Sequence, residues 1–173
     1  MGTFGIPSLG GIAASLTGLL GQKAIQTTYS FRDLVGALTN PALQAGFPIV
    51  GGNIGTGTIT IRMMTQRTEM DTAADGVVMG SYVAGDSAEV TIEMQQTSSL
   101  HHALVDLYNT LVTAANGGDV SNWLSTTLAF RTILDGSGHF MSGVGFQKLP
   151  DKPYAARGQN VTWTLLAASC VNM

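Results

Sequence analysis

Over residues 57–96 apolar and polar side chains alternate with a period of two. Ile59, Ile61 and Met63 fall on one side and Thr58, Thr60, Arg62 and Met64 on the other; further on, Val90, Ile92 and Met94 oppose Glu89, Thr91, Glu93 and Gln95. The pattern predicts three strands in series, divided at Ala74-Asp75-Gly76 and Ala84-Gly85-Asp86. Those breaks carry turn chemistry, because glycine tolerates positive φ and aspartate closes local turns. One face packs a core, where each buried Ile or Met contributes about 1.5 to 3 kcal/mol. The other face is polar but thinly charged, as in an antiparallel sheet with one wet side.

The same reading extends along the chain. Residues 27–35 alternate Tyr29, Phe31 and Asp33 against Thr28, Ser30, Arg32 and Leu34, predicting a first strand. Residues 36–57, rich in glycine and holding Pro41 and Pro48, read as a long loop with a short strand at Phe47–Val50. A loop of that length in a small domain is usually an interaction element, here one that makes contacts between copies. Residues 98–116 form the one convincing helix: Ser98 or Ser99 caps it, Leu100, Leu104, Leu107, Tyr108 and Leu111 recur at helical spacing, and Asn116-Gly117-Gly118 ends it. His101 and His102 sit in its first turn, where the helix dipole disfavours protonation, and read as surface or interface residues. Residues 125–134 and 139–148 flank Asp135-Gly136-Ser137-Gly138, a hairpin signal, and residues 158–170 close the chain with Val161, Trp163, Leu165 and Ala167 alternating against threonines, Leu166 and Ala168. About seven strands with one helix predict a mainly β fold, a β-sandwich or partly open barrel of two antiparallel sheets with the helix covering an open end or edge.

At 173 residues the chain suits a single domain, residues 27–173, preceded by an apolar, glycine-rich arm, residues 1–26. The arm has no basic residue before Lys23, unlike a secretory leader, and its glycines and hydroxyl residues break up any span of about 20 apolar residues. Ile6, Leu9, Ile12, Leu16, Leu19 and Leu20 are too apolar to be left in water, so the arm is expected to order on a neighbouring subunit. Charged residues make up only 11% of the chain, against about 25% in an ordinary domain, which fits a surface largely covered by other subunits. A net charge of −3 argues against a tight nucleic-acid binder, which would carry a basic stripe.

Few residues of the chain point to chemistry. Cys170 is the sole cysteine, so an internal disulfide is excluded, and the adjacent His101 and His102 with the distant His139 lack ligand spacing for a metal. Gly55-Thr56-Gly57 is followed by Thr60 where a dinucleotide fingerprint needs glycine; there is no P-loop and no nucleophile elbow. The sequon Asn160-Val161-Thr162 falls in a predicted strand and reads as chance. Glu89 with Glu93, and Glu69 with Asp71, each share a strand face, yet no histidine or apolar pocket singles one out for proton transfer. No cofactor and no enzymatic activity are expected. What stands out is the placement of charge. Between Arg67 and Arg131 there is no Lys or Arg, while eight of the 11 acidic residues fall there, so a face built from this span would be negative.

Residues 29–38 (YSFRDLVGAL), Gly55 to Thr60, Arg67-Thr68, Ala74-Asp75-Gly76, Val90-Thr91-Ile92 and residues 95–100 (QQTSSL) together resemble the tail tube proteins of contractile-tailed bacteriophages, closely over 27–109 and loosely over the C-terminal strands. The resemblance implies a β-sandwich subunit with a flanking helix. Six subunits form a ring whose inner sheets join into a continuous β-barrel, and rings stack into a hollow tube inside a contractile sheath. Strand edges that endanger a monomer are then satisfied by closure, and thinly charged surface becomes interface. Partners implied are further copies of the chain, the sheath protein, and baseplate and neck proteins at the tube ends; DNA passes through the lumen without specific binding, and no membrane is involved. The location implied is the virion tail, assembled in the host cytoplasm. Glu89, Glu93, Glu69, Asp71 and Asp75 become candidates for the lumen, where carboxylates repel phosphate. Ile6, Leu9, Ile12, Leu16, Leu19, Pro41, Phe47 and Pro48 become candidates for contacts between subunits. The rival readings are a single-ring neck, terminator or baseplate-hub protein, and a small β-sandwich binding module.

Overall fold

The computed structural model describes residues 30–43, 46–50, 55 and 57–173. Nine strands and one α-helix follow in order: β1 Leu34–Thr39, β2 Phe47–Val50, β3 Thr58–Met63, β4 Thr68–Thr72, β5 Val78–Tyr82, β6 Ala88–Gln95, α1 Ser99–Asn116, β7 Thr126–Thr132, β8 Gly138–Phe146 and β9 Asn160–Asn172. The protein is mainly β with one helix, as expected, but its two sheets are very unequal. Seven strands form one antiparallel sheet in the order β2-β1-β7-β8-β9-β6-β3, and β4 and β5 form a separate two-stranded sheet. The large sheet curls into a half-barrel. Its curl brings Ile59 and Ile61 of β3 around to Phe31, Leu34 and Phe130, from near the far end of the strand order, across a cleft of about 170 Å³.

The strand alternation maps onto burial. Val90, Ile92 and Met94 of β6 and Val161, Trp163 and Leu165 of β9 are buried, and the residues between them face outward. Helix α1 closes the buried side with Leu100, Leu104, Leu107 and Leu111, spaced by three and four so that they form one stripe. Ser98 caps the helix, its Oγ accepting from the His101 backbone N–H at 3.0 Å, and Gly118 at φ 90° takes the chain out of it. At the centre, Phe146 and Tyr108 lie edge-on, 5.5 Å between ring centroids, and the Trp163 ring is 5.4 Å from Phe146. Buried Asn40 fastens the end of β1 to the start of β7 by donating to Thr126 Oγ1 at 2.8 Å.

Four expectations need correction. Ser30 caps a short 3-10 turn, Phe31–Asp33, so the first strand begins at Leu34 rather than running over 27–35, of which residues 27–29 lie outside the described residues. Within the stretch 36–57 the described residues hold more strand than a loop would, since β1 continues to Thr39 and pairs antiparallel with β2. Residues 57–96 hold four strands, because a break at residues 64–67 separates β3 from β4. Finally, His101 is no surface residue: it is 3% exposed, and its Nδ1 accepts a hydrogen bond from Trp163 Nε1 at 3.0 Å.

Burial of His101 makes the stability of the fold depend on pH. Burial, helped by the nearby positive charge of Lys152 and by His102, holds the His101 pKa below its ordinary value. The native protein therefore resists a proton that the unfolded chain takes up near pH ~6.5. The contribution is whole above that pH and is lost as pH falls from there through the lowered native value. Thermal unfolding midpoints are expected to decline from about pH 6.5 to 5 in the wild type and less steeply in His101→Gln, which keeps an acceptor without titrating. Equal slopes in the two proteins would refute the assignment.

Candidate functional site

The outward face of β3, β6 and β9 is ordered in rows set by strand register. Thr58, Glu93 and Thr162 form one row; Thr60, Thr91 and Thr164 form the next; Arg62, Glu89 and Leu166 form the third. Hydroxyls dominate, two carboxylates flank the middle row, and one guanidinium stands opposite Glu89. Glu93 Oε1 accepts from Asn160 Nδ2 at 3.0 Å, which fixes its carboxylate along the sheet. Directly behind these rows lie the buried Val90, Ile92 and Trp163, so the face is backed by a close-packed layer. Towards the other end of the sheet the outward face turns apolar: Ala37, Ala129, Phe140 and Val171 align across β1, β7, β8 and β9.

The β4–β5 hairpin is a second surface, and it stands off the core with all ten strand residues exposed. Register gives it two unlike sides. Thr68, Met70 and Thr72 share one side with Tyr82, Gly80 and Val78, while Glu69 and Asp71 share the other with Ser81 and Met79. Met70, Val78 and Tyr82 are 69%, 57% and 74% exposed, so three large side chains on one side have no core to enter. The base of the hairpin is pinned. Arg67 pairs with Asp86, the Val83 N–H donates to Arg67 O at 2.9 Å, and the Cys170 N–H donates to Asp86 O at 2.8 Å. At Gly85 the backbone passes so near Thr65 that an added Cβ would lie 2.6 Å from its Oγ1, which explains a glycine there.

The five carboxylates singled out for a lumen therefore do not form one cluster. Glu89 and Glu93 share the outward face of β6, Glu69 and Asp71 share one side of the hairpin, and Asp75 lies in the hairpin turn, accepting from the Val77 N–H at 3.1 Å. The eight acidic residues between Arg67 and Arg131 are also less uniform in space than in sequence. Asp86 is paired with Arg67, Arg62 enters from the neighbouring strand, and Asp106 and Asp119 belong to α1 and the segment after it. Hydrogen bonds from Ser121 hold the Asp119 carboxyl below the usual range, and Ser137 does the same for Asp135 in the β7–β8 turn. Among candidates for subunit contacts, Ile6, Leu9, Ile12, Leu16 and Leu19 lie outside the described residues. Pro41 and Pro48 are exposed at and after the β1–β2 turn, and half-buried Phe47 packs against the core. Sequence reasoning missed the apolar side of the hairpin and the Ala37–Val171 row. The signal for the first was present, since Met70, Val78 and Tyr82 keep strand parity in a segment with no partner for them.

Among the described residues no group of three or more His, Cys, Asp or Glu could hold a metal, and no helix is long and apolar enough to cross a membrane. Cys170 is buried in β9, and burial raises its thiol pKa.

Residues 26–173 match the family described as Bacteriophage PhiTE tail tube protein. No curated protein sequence matches the chain. Among solved structures, the chain is similar to a chain of the sheath-tube complex of an extracellular contractile injection system, PVC, in its extended state. The TM-score there is 0.52 with 10% identity over 88% of this chain and 96% of that one. It is also similar to a chain of the PVC sheath/tube terminator in the extended state, with TM-score 0.51 and 9% identity over 87% of this chain and 99% of that one. At such identities the likeness is one of fold.

Proposed function

Since this chain belongs to the bacteriophage PhiTE tail tube protein family, we propose that it forms hexameric rings which stack into a hollow tube, lined by the outward face of β3, β6 and β9, that conducts DNA during ejection. The observation that carries this is the row structure of that face: threonine hydroxyls flanked by Glu89 and Glu93, with Arg62 as its one basic side chain. A wall for DNA must be wetted and must not adhere. Threonines supply the first property, and carboxylates supply the second by repelling phosphate over the ~8 Å that salt leaves unscreened. Glu69, Asp71 and Asp75 extend the same character to the hairpin, which would place its acidic side on the lumen or its rim.

Assembly uses what the isolated subunit leaves open. Among the described residues, strands β2 and β3 end the large sheet at its two sides, and edge strands of an antiparallel sheet can be extended by further copies. The apolar side of the hairpin and the Ala37, Ala129, Phe140, Val171 row supply area for contacts that in obligate assemblies exceed about 2,000 Å². In this reading the sheath surrounds the tube, baseplate and neck proteins meet its ends, and the chain has a structural and not a catalytic role in the virion.

The test is charge reversal on the wall. Glu89→Lys with Glu93→Lys is expected to leave tube assembly intact and to slow DNA ejection several-fold, with the difference shrinking as salt is raised. Ejection at the wild-type rate at low salt would remove Glu89 and Glu93 from the lumen.

A further inference from the structure

We propose that residues 1–25 of one copy dock in the apolar groove at the end of α1 on the copy stacked next to it, tying successive rings together. The inference rests on the stacked-tube reading above. The groove is lined by Ala115, Val120, Ser121, Trp123, Leu124 and Ser125, with a volume of about 610 Å³ and no charged side chain in its lining. Val120 and Leu124 are 65% and 58% exposed beside it, an apolar surface that a lone subunit leaves in water.

Its occupant is argued from the chain itself. Residues 1–22 contain no Asp, Glu, Lys, Arg or His, and Ile6, Leu9, Ile12, Leu16 and Leu19 recur every three or four positions, so an uncharged apolar segment meets an uncharged apolar groove. The family match starts at residue 26, so this segment lies outside the part of the chain that the family describes. The place where it joins the domain suits a second copy. Asp33 O accepts from the Ile133 N–H at 2.9 Å and Leu34 pairs with Thr132, so the chain enters the domain at the last residues of β7. Trp123, Leu124 and Ser125 of the groove immediately precede the first residue of β7. Root and groove thus lie at opposite ends of a seven-residue strand, about 20 Å apart. Because β1 runs antiparallel to β7, it heads toward the groove end, and the residues before it leave from the other. A segment rooted at one end and a receptor at the other fit a head-to-tail contact between copies, the kind that propagates into an open filament where its rotation does not close a ring. Twenty-five residues reach up to about 80 Å when extended, ample for a neighbouring ring.

The test is cysteine crosslinking of full-length chains carrying two different tags, one with Leu9→Cys, Leu16→Cys or Leu19→Cys, the other with Leu124→Cys; native Cys170 is buried and stays. In mixed assemblies at least one pair is expected to give an oxidised product containing both tags, and placing both cysteines on one chain should give ladders of multimers. Crosslinks confined to single chains, or no crosslink from any position in well-formed tubes, would overturn the inference while leaving the tube reading intact. Unaltered protein that forms no tubes would overturn the tube reading itself. In parallel, Leu124→Asp, at an exposed position, should leave the folded subunit unchanged and shift assemblies from long tubes to single rings and short stacks; tubes of unaltered length would count against the groove.

Discussion

Exchanging Met70, Val78 and Tyr82 together for threonine is expected to abolish tube formation at concentrations where the wild type assembles, with the unfolding midpoint of the subunit unchanged. Threonine preserves strand propensity and register, so the hairpin itself survives. None of the three side chains touches the core, since β4 and β5 are exposed throughout and pair only with each other. What is removed is the apolar surface that a neighbour would cover in the proposed tube. Full burial of one such side chain is worth about 1.5 to 3 kcal/mol, less the cost of ordering it. If each retains only about 1.4 kcal/mol at the interface, a factor of ten, the three raise the concentration needed for assembly about a thousandfold. Sedimentation and electron microscopy across a concentration series would read this directly. Tubes that appear at the wild-type concentration would show that the hairpin's apolar side is not an assembly surface.

Trp163→Ala should have the largest effect on the subunit alone. The indole is fully buried, its ring lies against Phe146 and 6.4 Å from Tyr108, and its N–H is the donor to His101 Nδ1. Removing a buried tryptophan costs about 3 to 5 kcal/mol, and the stranded imidazole adds about 1 kcal/mol or more. In a domain of this size the unfolding midpoint should fall by roughly 10 °C or more. Trp163→Phe separates the two terms, because it keeps most of the packing and loses the donor. A loss below about 1 kcal/mol for the alanine variant would mean that the aromatic cluster is not the centre of the core.

How far these features could be read in advance depended on whether a residue's environment was local. The α1 helix, its Ser98 cap and the Gly117-Gly118 stop follow from spacing of three and four and from capping chemistry within one segment, and the structure keeps them nearly to the residue. The alternation in β6 and β9 likewise predicted which residues are buried, because both strands lie mid-sheet with one covered face. The failures are of three kinds. Tertiary context overrode propensity at Phe31–Asp33, where alternation gave way to a capped 3-10 turn. The break before β4 is marked only by the adjacent Met63 and Met64 and the polar run Thr65 to Thr68, with no glycine or proline to announce a turn, although β4 and β5 leave the large sheet. His101 was misplaced because histidine usually marks surface or chemistry; its position three before Leu104 and seven before Tyr108 already set it on the buried stripe.

The candidate surfaces were legible only in part. That Glu89 and Glu93 share a face follows from their even spacing. That threonines of β3 and β9 complete the rows, and that Arg62 stands across from Glu89, depends on register between strands distant in sequence. A charge count along the chain therefore overstates the negative character of that face, since it omits the neighbour that the sheet brings alongside and includes Asp106 and Asp119 from elsewhere in the fold.

The most direct test of the central claim is a helical reconstruction by electron cryomicroscopy of assemblies formed by the purified full-length chain. Open-ended hollow tubes of stacked six-fold rings are expected, with the Thr58–Glu93–Thr162 and Thr60–Thr91–Thr164 rows facing the lumen. Rings that never stack, or tubes in which those rows face the outer wall, would contradict that claim.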